Sequence, residues 1–186
     1  DALPICIAAR TGPYPFFSLE KILASSSKQN QPPSLLIIDG VTDTHNLGAL
    51  VRTAICAGLT GIVIPKNNAA SPTPVASKIS AGALEFARIA RETNIARTVD
   101  FLKENGVWIA GLASDTKQSI YETDLSGAIA LVVGDEHKGI RRLVKEKCDF
   151  LMAIPQSRKI DSLNVSVAGG IAMYELYRQR SATKTN

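Results

Sequence analysis

Three polar stretches of this sequence could do chemistry, and each follows an apolar run. Ala113-Ser114-Asp115 comes after residues 107–112. Gly134-Asp135-Glu136-His137-Lys138-Gly139 comes after residues 128–133. Residues 155–164, polar and charged except for Ile160 and Leu163, come after residues 150–154. Glu136 is a candidate acid or base, with a solvated loop carboxylate as the plainer reading. Arg52 sits about 140° from Leu47 around its helix, off the apolar face, where a surface arginine is the plain reading. Asn164 after Ser162 reads as an N-cap for the last helix. The two glycines of the 134–139 stretch let a ligand approach the backbone closely.

Several chemistries have no residues to carry them. There is no GxGxxG after the first strand, no GxxxxGK[ST] and no GxSxG, so Rossmann, P-loop and hydrolase-elbow readings lack support. Cys6, Cys56 and Cys148 are far apart with no CxxC, and His45 and His137 are the only histidines. That is too little for a zinc site or disulfide framework, and it suits idle thiols in a reducing compartment such as the cytoplasm.

The elements that must hold these stretches alternate. Residues 35–39, 61–65, 88–91, 107–112, 128–134 and 150–154 read as strands. Residues 47–55 place Leu47, Leu50, Val51, Ala54 and Ile55 on one helical face, with Asn46 as cap and Gly58 as stop. Residues 75–86, 95–103, 140–147 and 164–180 also read as helices. Strands that are apolar on both faces predict a parallel-sheet α/β domain with helices on both faces. In such sheets ligands bind beyond the carboxyl ends of the strands, where the three polar stretches lie.

With 186 residues, 45% hydrophobic and 20% charged, the chain is globular rather than disordered, and no apolar run reaches the roughly 18 residues of a membrane helix. The net charge of +4 is mild but suits a polyanion such as RNA. Residues 1–34 hold five prolines and a Ser/Gln/Asn run. They read as a linker or N-terminal extension with one short helix at 18–24, the remnant of a preceding RNA-binding domain. Residues 35–180 read as the catalytic body and 181–186 as a flexible tail.

Three stretches then carry a resemblance: residues 39–54 (Asp39-Gly-Val-Thr-Asp-Thr-His-Asn-Leu-Gly-Ala-Leu-Val-Arg52-Thr-Ala), 131–142 (Leu131-Val-Val-Gly-Asp-Glu-His-Lys-Gly-Ile-Arg-Arg142) and 154–168, which includes Ser162-Leu-Asn-Val-Ser. In this order they resemble the three motifs of the SpoU (TrmH) family of RNA ribose methyltransferases in the SPOUT superfamily. In detail they are most similar to the RlmB-like branch, which modifies a guanosine of 23S-type ribosomal RNA.

The resemblance implies a C-terminal deep trefoil knot and a homodimer paired through the closing helix. It implies S-adenosyl-L-methionine as methyl donor, held by Leu112, Ala113, Gly134, Gly139, Ile154 and Leu163. The functional polar residues would be Asn46, Arg52, Glu136, Ser162 and Asn164. Arg52, Arg141, Arg142, Lys145, Arg158 and Lys159 would hold RNA phosphates. No metal is implied. Arg52 would be either a base or a cation stabilising a developing alkoxide while phosphate or Glu136 receives the proton. A transfer RNA substrate, or a silent RNA-binding protein, are the alternatives. Thr44 stands where the family usually has Pro, and His137 and Arg158 where it has Gly. The last two would narrow the cofactor or RNA entrance. The stripe Val165, Ala168, Gly169, Ala172, Met173 and Leu176 is the expected dimer face.

Overall fold

A computed structural model describes residues 12–28, 31–136, 138–157 and 162–183. Six parallel strands form one sheet: β1 (Ser34–Asp39), β2 (Gly61–Pro65), β3 (Ile89–Glu92), β4 (Trp108–Leu112), β5 (Ile129–Gly134) and β6 (Phe150–Met152), in the order β3-β2-β1-β5-β4-β6. The helices are α1 (Leu19–Lys28), α2 (Thr44–Cys56), α3 (Pro74–Ile79), α4 (Ile95–Glu104), α5 (Arg142–Lys145) and α6 (Val165–Thr183), with 3₁₀ turns at Ala83–Phe86 and Ile120–Glu122.

The side-chain alternation of a strand sorts the core into two layers. Leu36, Ile38, Leu131 and Val133 pack on one face with Leu50, Met173 and Leu176 from α2 and α6. Leu35, Ile37, Ala130 and Val132 pack on the other with Ile22, Val99 and Val144 from α1, α4 and α5. Every residue of β1 and β5 is buried, as a sheet covered on both sides requires. Their ladder pairs Asp39 with Gly134, so both strands end at one level.

Four expectations need correction. The helix expected over 75–86 is broken, because Ala81 at φ 51 and Gly82 at φ 82 leave the helical region and restart the chain as a 3₁₀ turn. The described part of the 1–34 stretch is packed rather than a free linker: Ile22 is fully buried, and the Phe17 amide donates to the Ile89 carbonyl at 2.9 Å. Ile22 and the neighbouring Leu19, at most 5% exposed, together contribute several kcal/mol, at ~1.5–3 kcal/mol each. Asn46 does not cap α2. Asp43 does, its carboxylate accepting from the His45 amide at 3.0 Å, and Asn46 lies inside the first turn.

The fourth correction concerns α6. Val165, Ala172, Met173 and Leu176 are at most 6% exposed and pack on this chain's own sheet and α2. That stripe is occupied intramolecularly. The outward face carries Val167, Tyr174 and Tyr177 instead, each about half exposed. Among the described residues no helix is long and apolar enough to cross a membrane.

Candidate active site

A cleft of about 430 Å³ opens beyond the carboxyl ends of β4, β5 and β6, which is where open α/β sheets bind ligands and within the usual size of small-molecule sites. Leu112, Ala113, Gly134, Gly139, Ile154 and Leu163 line it, and Ser162 stands at its wall. The lining mixes backbone and aliphatic side chains with Asp115, Glu136 and Lys138. Such a surface suits a ligand with a flat apolar part and a polar, charged part.

The loop after β5 shapes one wall. Asp135 and Gly139 exchange amide-to-carbonyl hydrogen bonds of 3.0 and 2.8 Å, and the Lys138 amide donates to the Asp135 carboxylate at 3.0 Å. The loop folds back so closely that a Cβ on residue 134 would lie 2.0 Å from the Gly139 carbonyl carbon. Only glycine fits there.

A polar cluster joins this loop to two helices. Asn46 Nδ2 donates to Glu136 Oε1 at 3.1 Å. Asn164 Nδ2 donates to Asn46 Oδ1 at 3.1 Å and to Glu136 Oε1. The Val165 amide, 3.5 Å away, points at the same carboxylate oxygen. Asn164 also caps α6, its Oδ1 accepting from the Ser166 and Val167 amides at 2.9 and 3.3 Å. Glu136 thus sits at a helix N-terminus, where backbone N–H groups and the helix dipole favour a negative charge.

The cations distribute unevenly. Arg52 is exposed on α2, has no hydrogen-bond or ion-pair partner among the described residues, and is not part of the cleft wall. Arg141, expected on RNA, is bound to the buried Asp39, with about half of its own side chain exposed. Lys145 spans to Asp115 at 2.6 Å across the cleft wall, and its ammonium holds the Asp115 carboxyl below the usual carboxylate value. Both pair with carboxylates in the ligand-free protein, Arg141 with a buried one and Lys145 with an exposed one. Arg142 pairs with Glu146 at the surface, a contact worth little and easily exchanged for a phosphate. Arg158, Lys159 and His137 lie outside the described residues.

Sequence reasoning missed Asp39 and Ile140, and it gave Asp115 a place beyond a strand end but no partner. Asp39 had a signal: a lone carboxylate ending an otherwise apolar strand must find a partner. Among the described residues no group of three or more His, Cys, Asp or Glu could hold a metal ion.

Comparison with known proteins decides the family. Residues 33–174 match the SpoU rRNA Methylase family. The chain belongs to that family. Two SpoU-type relatives are named 23S rRNA (guanosine-2'-O-)-methyltransferase RlmB. The one from Pseudomonas putida is 44% identical over 166 residues, covering 89% of this chain and 66% of its own length. The one from Coxiella burnetii is 48% identical over 161 residues, covering 87% and 64%. The chain therefore spans about two thirds of the length of these relatives. Among solved structures, the AdoMet-bound rRNA methyltransferase from Sinorhizobium meliloti superposes with a TM-score of 0.74 at 27% identity, covering 80% of this chain and 57% of that one.

Proposed function

We propose that this SpoU-family chain transfers a methyl group from S-adenosylmethionine to a ribose 2′-OH of RNA, on a guanosine of 23S-type ribosomal RNA. The observation that carries the reading is the Asn46–Glu136–Asn164 cluster at the wall of a cleft beyond the strand ends. The identity to the two RlmB proteins supports the ribosomal substrate.

The cleft fits the donor. Glycine at 134 lets the Gly139 and Ile140 backbone lie against the strand end, so that main chain forms part of the cleft wall. Leu112, Ile154 and Leu163 would flank the base, and Gly134, Ala113 and Gly139 would offer backbone contacts. When bound, S-adenosylmethionine supplies an electrophilic methyl on a positively charged sulfur.

The chain's own residues must orient and deprotonate the hydroxyl. Asn46 and Asn164 hold Glu136 in one rotamer, so its carboxylate is set in place before RNA arrives. A guanidinium keeps its proton to above about pH 12. Arg52 therefore acts as the cation that stabilises the developing alkoxide, and the proton passes to a phosphate or to Glu136. Ser162 at the wall and Arg142 at the start of α5 would meet the ribose and the RNA backbone.

Arg52 stands apart from the cleft wall of its own chain, which favours a homodimer. The half-exposed Val167, Tyr174 and Tyr177 give α6 an outward apolar face, and Thr53, next to Arg52, lies beside Gly170 of that helix. Pairing through this face would bring Arg52 to the interface. The trefoil knot belongs to the same reading and rests on the family. β6 lies at the sheet edge beside β4, whereas α6 packs on α2 and β5. Ribosomal RNA as substrate implies work in the cytoplasm.

The test is methyl transfer from labelled S-adenosylmethionine to 23S and transfer RNA, with a 2′-deoxy target as control. Label on ribosomal RNA only, absent from the deoxy target, is expected. Label on transfer RNA alone would move the substrate, and none on any RNA would sink the reading.

A further inference from the structure

We propose that Asp39 is a positioning residue for the 134–140 loop, acting through Arg141; its importance for cofactor binding rests on the function proposed above. Asp39 ends β1 with no exposed surface and lies opposite Gly134, where the loop begins. It is not part of the cleft wall. A buried carboxylate is tolerated only when paired and hydrogen-bonded. Among the described residues one supplies all of its donors: the Arg141 amide at 2.9 Å to Oδ2, Arg141 Nε at 2.7 Å to Oδ1, and Arg141 Nη2 to Oδ1.

Arg141 is the residue at which the loop ends and α5 begins. Residues 135–139 contain no apolar side chain, so they have no hydrophobic anchor of their own. The loop is fixed at its start by the β1–β5 ladder. At its end it is fixed by buried Ile140 and by the grip of Asp39 on Arg141. Because the grip includes the Arg141 main-chain amide, it sets the backbone and not only a side chain. The Gly139 backbone lies so close to Gly134 that even a Cβ would not fit between them, so a small shift at 141 would push the Gly139 backbone into the cleft or away from it. Arg141 thus orders a ligand-binding loop, and it is not a free RNA contact.

The test compares Arg141→Gln, Arg141→Lys and the double variant Asp39→Asn/Arg141→Gln in the full chain. Amide exchange at Lys138 and Gly139 is read without ligand. Affinity for S-adenosylhomocysteine is read by calorimetry, and the salt dependence of RNA binding alongside it. If the unpinned loop is seated about a tenth of the time, the apparent Kd for S-adenosylhomocysteine rises about tenfold. Arg141→Gln should show this with faster loop exchange and an unchanged salt slope, and Arg141→Lys should recover part of the affinity. The double variant leaves no unpaired buried carboxylate and serves if Arg141→Gln alone does not fold. Any folded Gln-containing variant with unaltered exchange at Gly139 overturns the proposal. So does unaltered S-adenosylhomocysteine affinity with a salt slope reduced by about one, the mark of a lost phosphate contact. An unsubstituted protein that binds no S-adenosylhomocysteine sinks the cofactor reading instead, and loop exchange still decides the role of Asp39.

Discussion

Asn46 Nδ2 lies 3.1 Å from Glu136 Oε1, although 90 residues separate them in sequence. The first is in the opening turn of α2, the second in the loop after β5. They meet because β1 and β5 are neighbours ending at one level. A single carboxylate oxygen collects Asn46, Asn164 and the start of α6.

That convergence predicts coupling. Asn46→Ala removes a hydrogen bond to a carboxylate, worth ~1.5–3 kcal/mol. Methyl transfer should fall by roughly 10–100-fold. Adding Asn164→Ala should cost less than the product of the two single effects, because both hold one group. Strictly multiplicative losses in a double-mutant cycle would show that the two amides act separately.

Arg52→Ala should abolish methyl transfer and leave the fold alone. The side chain is exposed and without a partner among the described residues, and such substitutions usually change stability by less than ~0.5 kcal/mol. Thermal melts and S-adenosylmethionine titrations should match the unsubstituted chain. A large fall in Tm would mean that Arg52 has a structural role.

Gly134→Ala should strain the loop, since the new Cβ meets backbone rather than a flexible side-chain end. Overpacking of this kind costs ~1–3 kcal/mol, or roughly 2–10 °C in Tm for a domain of this size. Cofactor affinity should fall with it. Unaltered melting and unaltered affinity would contradict the close approach.

The outward and inward faces of α6 should respond differently to charge. Tyr174→Glu or Tyr177→Glu should give folded monomers, whereas Ala172→Glu should unfold the chain, because Ala172 is fully buried. Light scattering with circular dichroism separates the cases. A mass near 19.9 kDa for the unsubstituted protein at micromolar concentration would remove the dimer.

Burial pushes the Cys148 thiol up to about 11 from 9.0, and the nearby Asp149 carboxylate adds to the shift. Its thiolate should be scarce at pH 8, so iodoacetamide should modify exposed Cys56 well before Cys148. The folded value is the higher one. Its contribution to stability is therefore complete below about pH 9 and lost as pH rises toward about 11. Peptide mapping after timed alkylation checks the order, and equal rates would refute it.

The α/β alternation, the strand positions to within a residue or two and the polar stretches beyond the strand ends were legible in the residues, because apolar periodicity is local and strong. Glycine at 134 and the polar run after it marked a ligand loop for the same reason. The motif order then pointed to the family. Pairing was not legible. Asn46 reads as a cap by spacing, yet its amide is drawn to Glu136 once β1 and β5 lie side by side. Arg141 and Lys145 read as RNA contacts, and their ion pairs with Asp39 and Asp115 were not legible, since a carboxylate 30 to 102 residues away leaves no trace in local pattern. The α6 stripe had two physically equal uses, packing inward or pairing outward. The sheet chose inward, because Val133 and Leu50 offered apolar surface that would otherwise have met water.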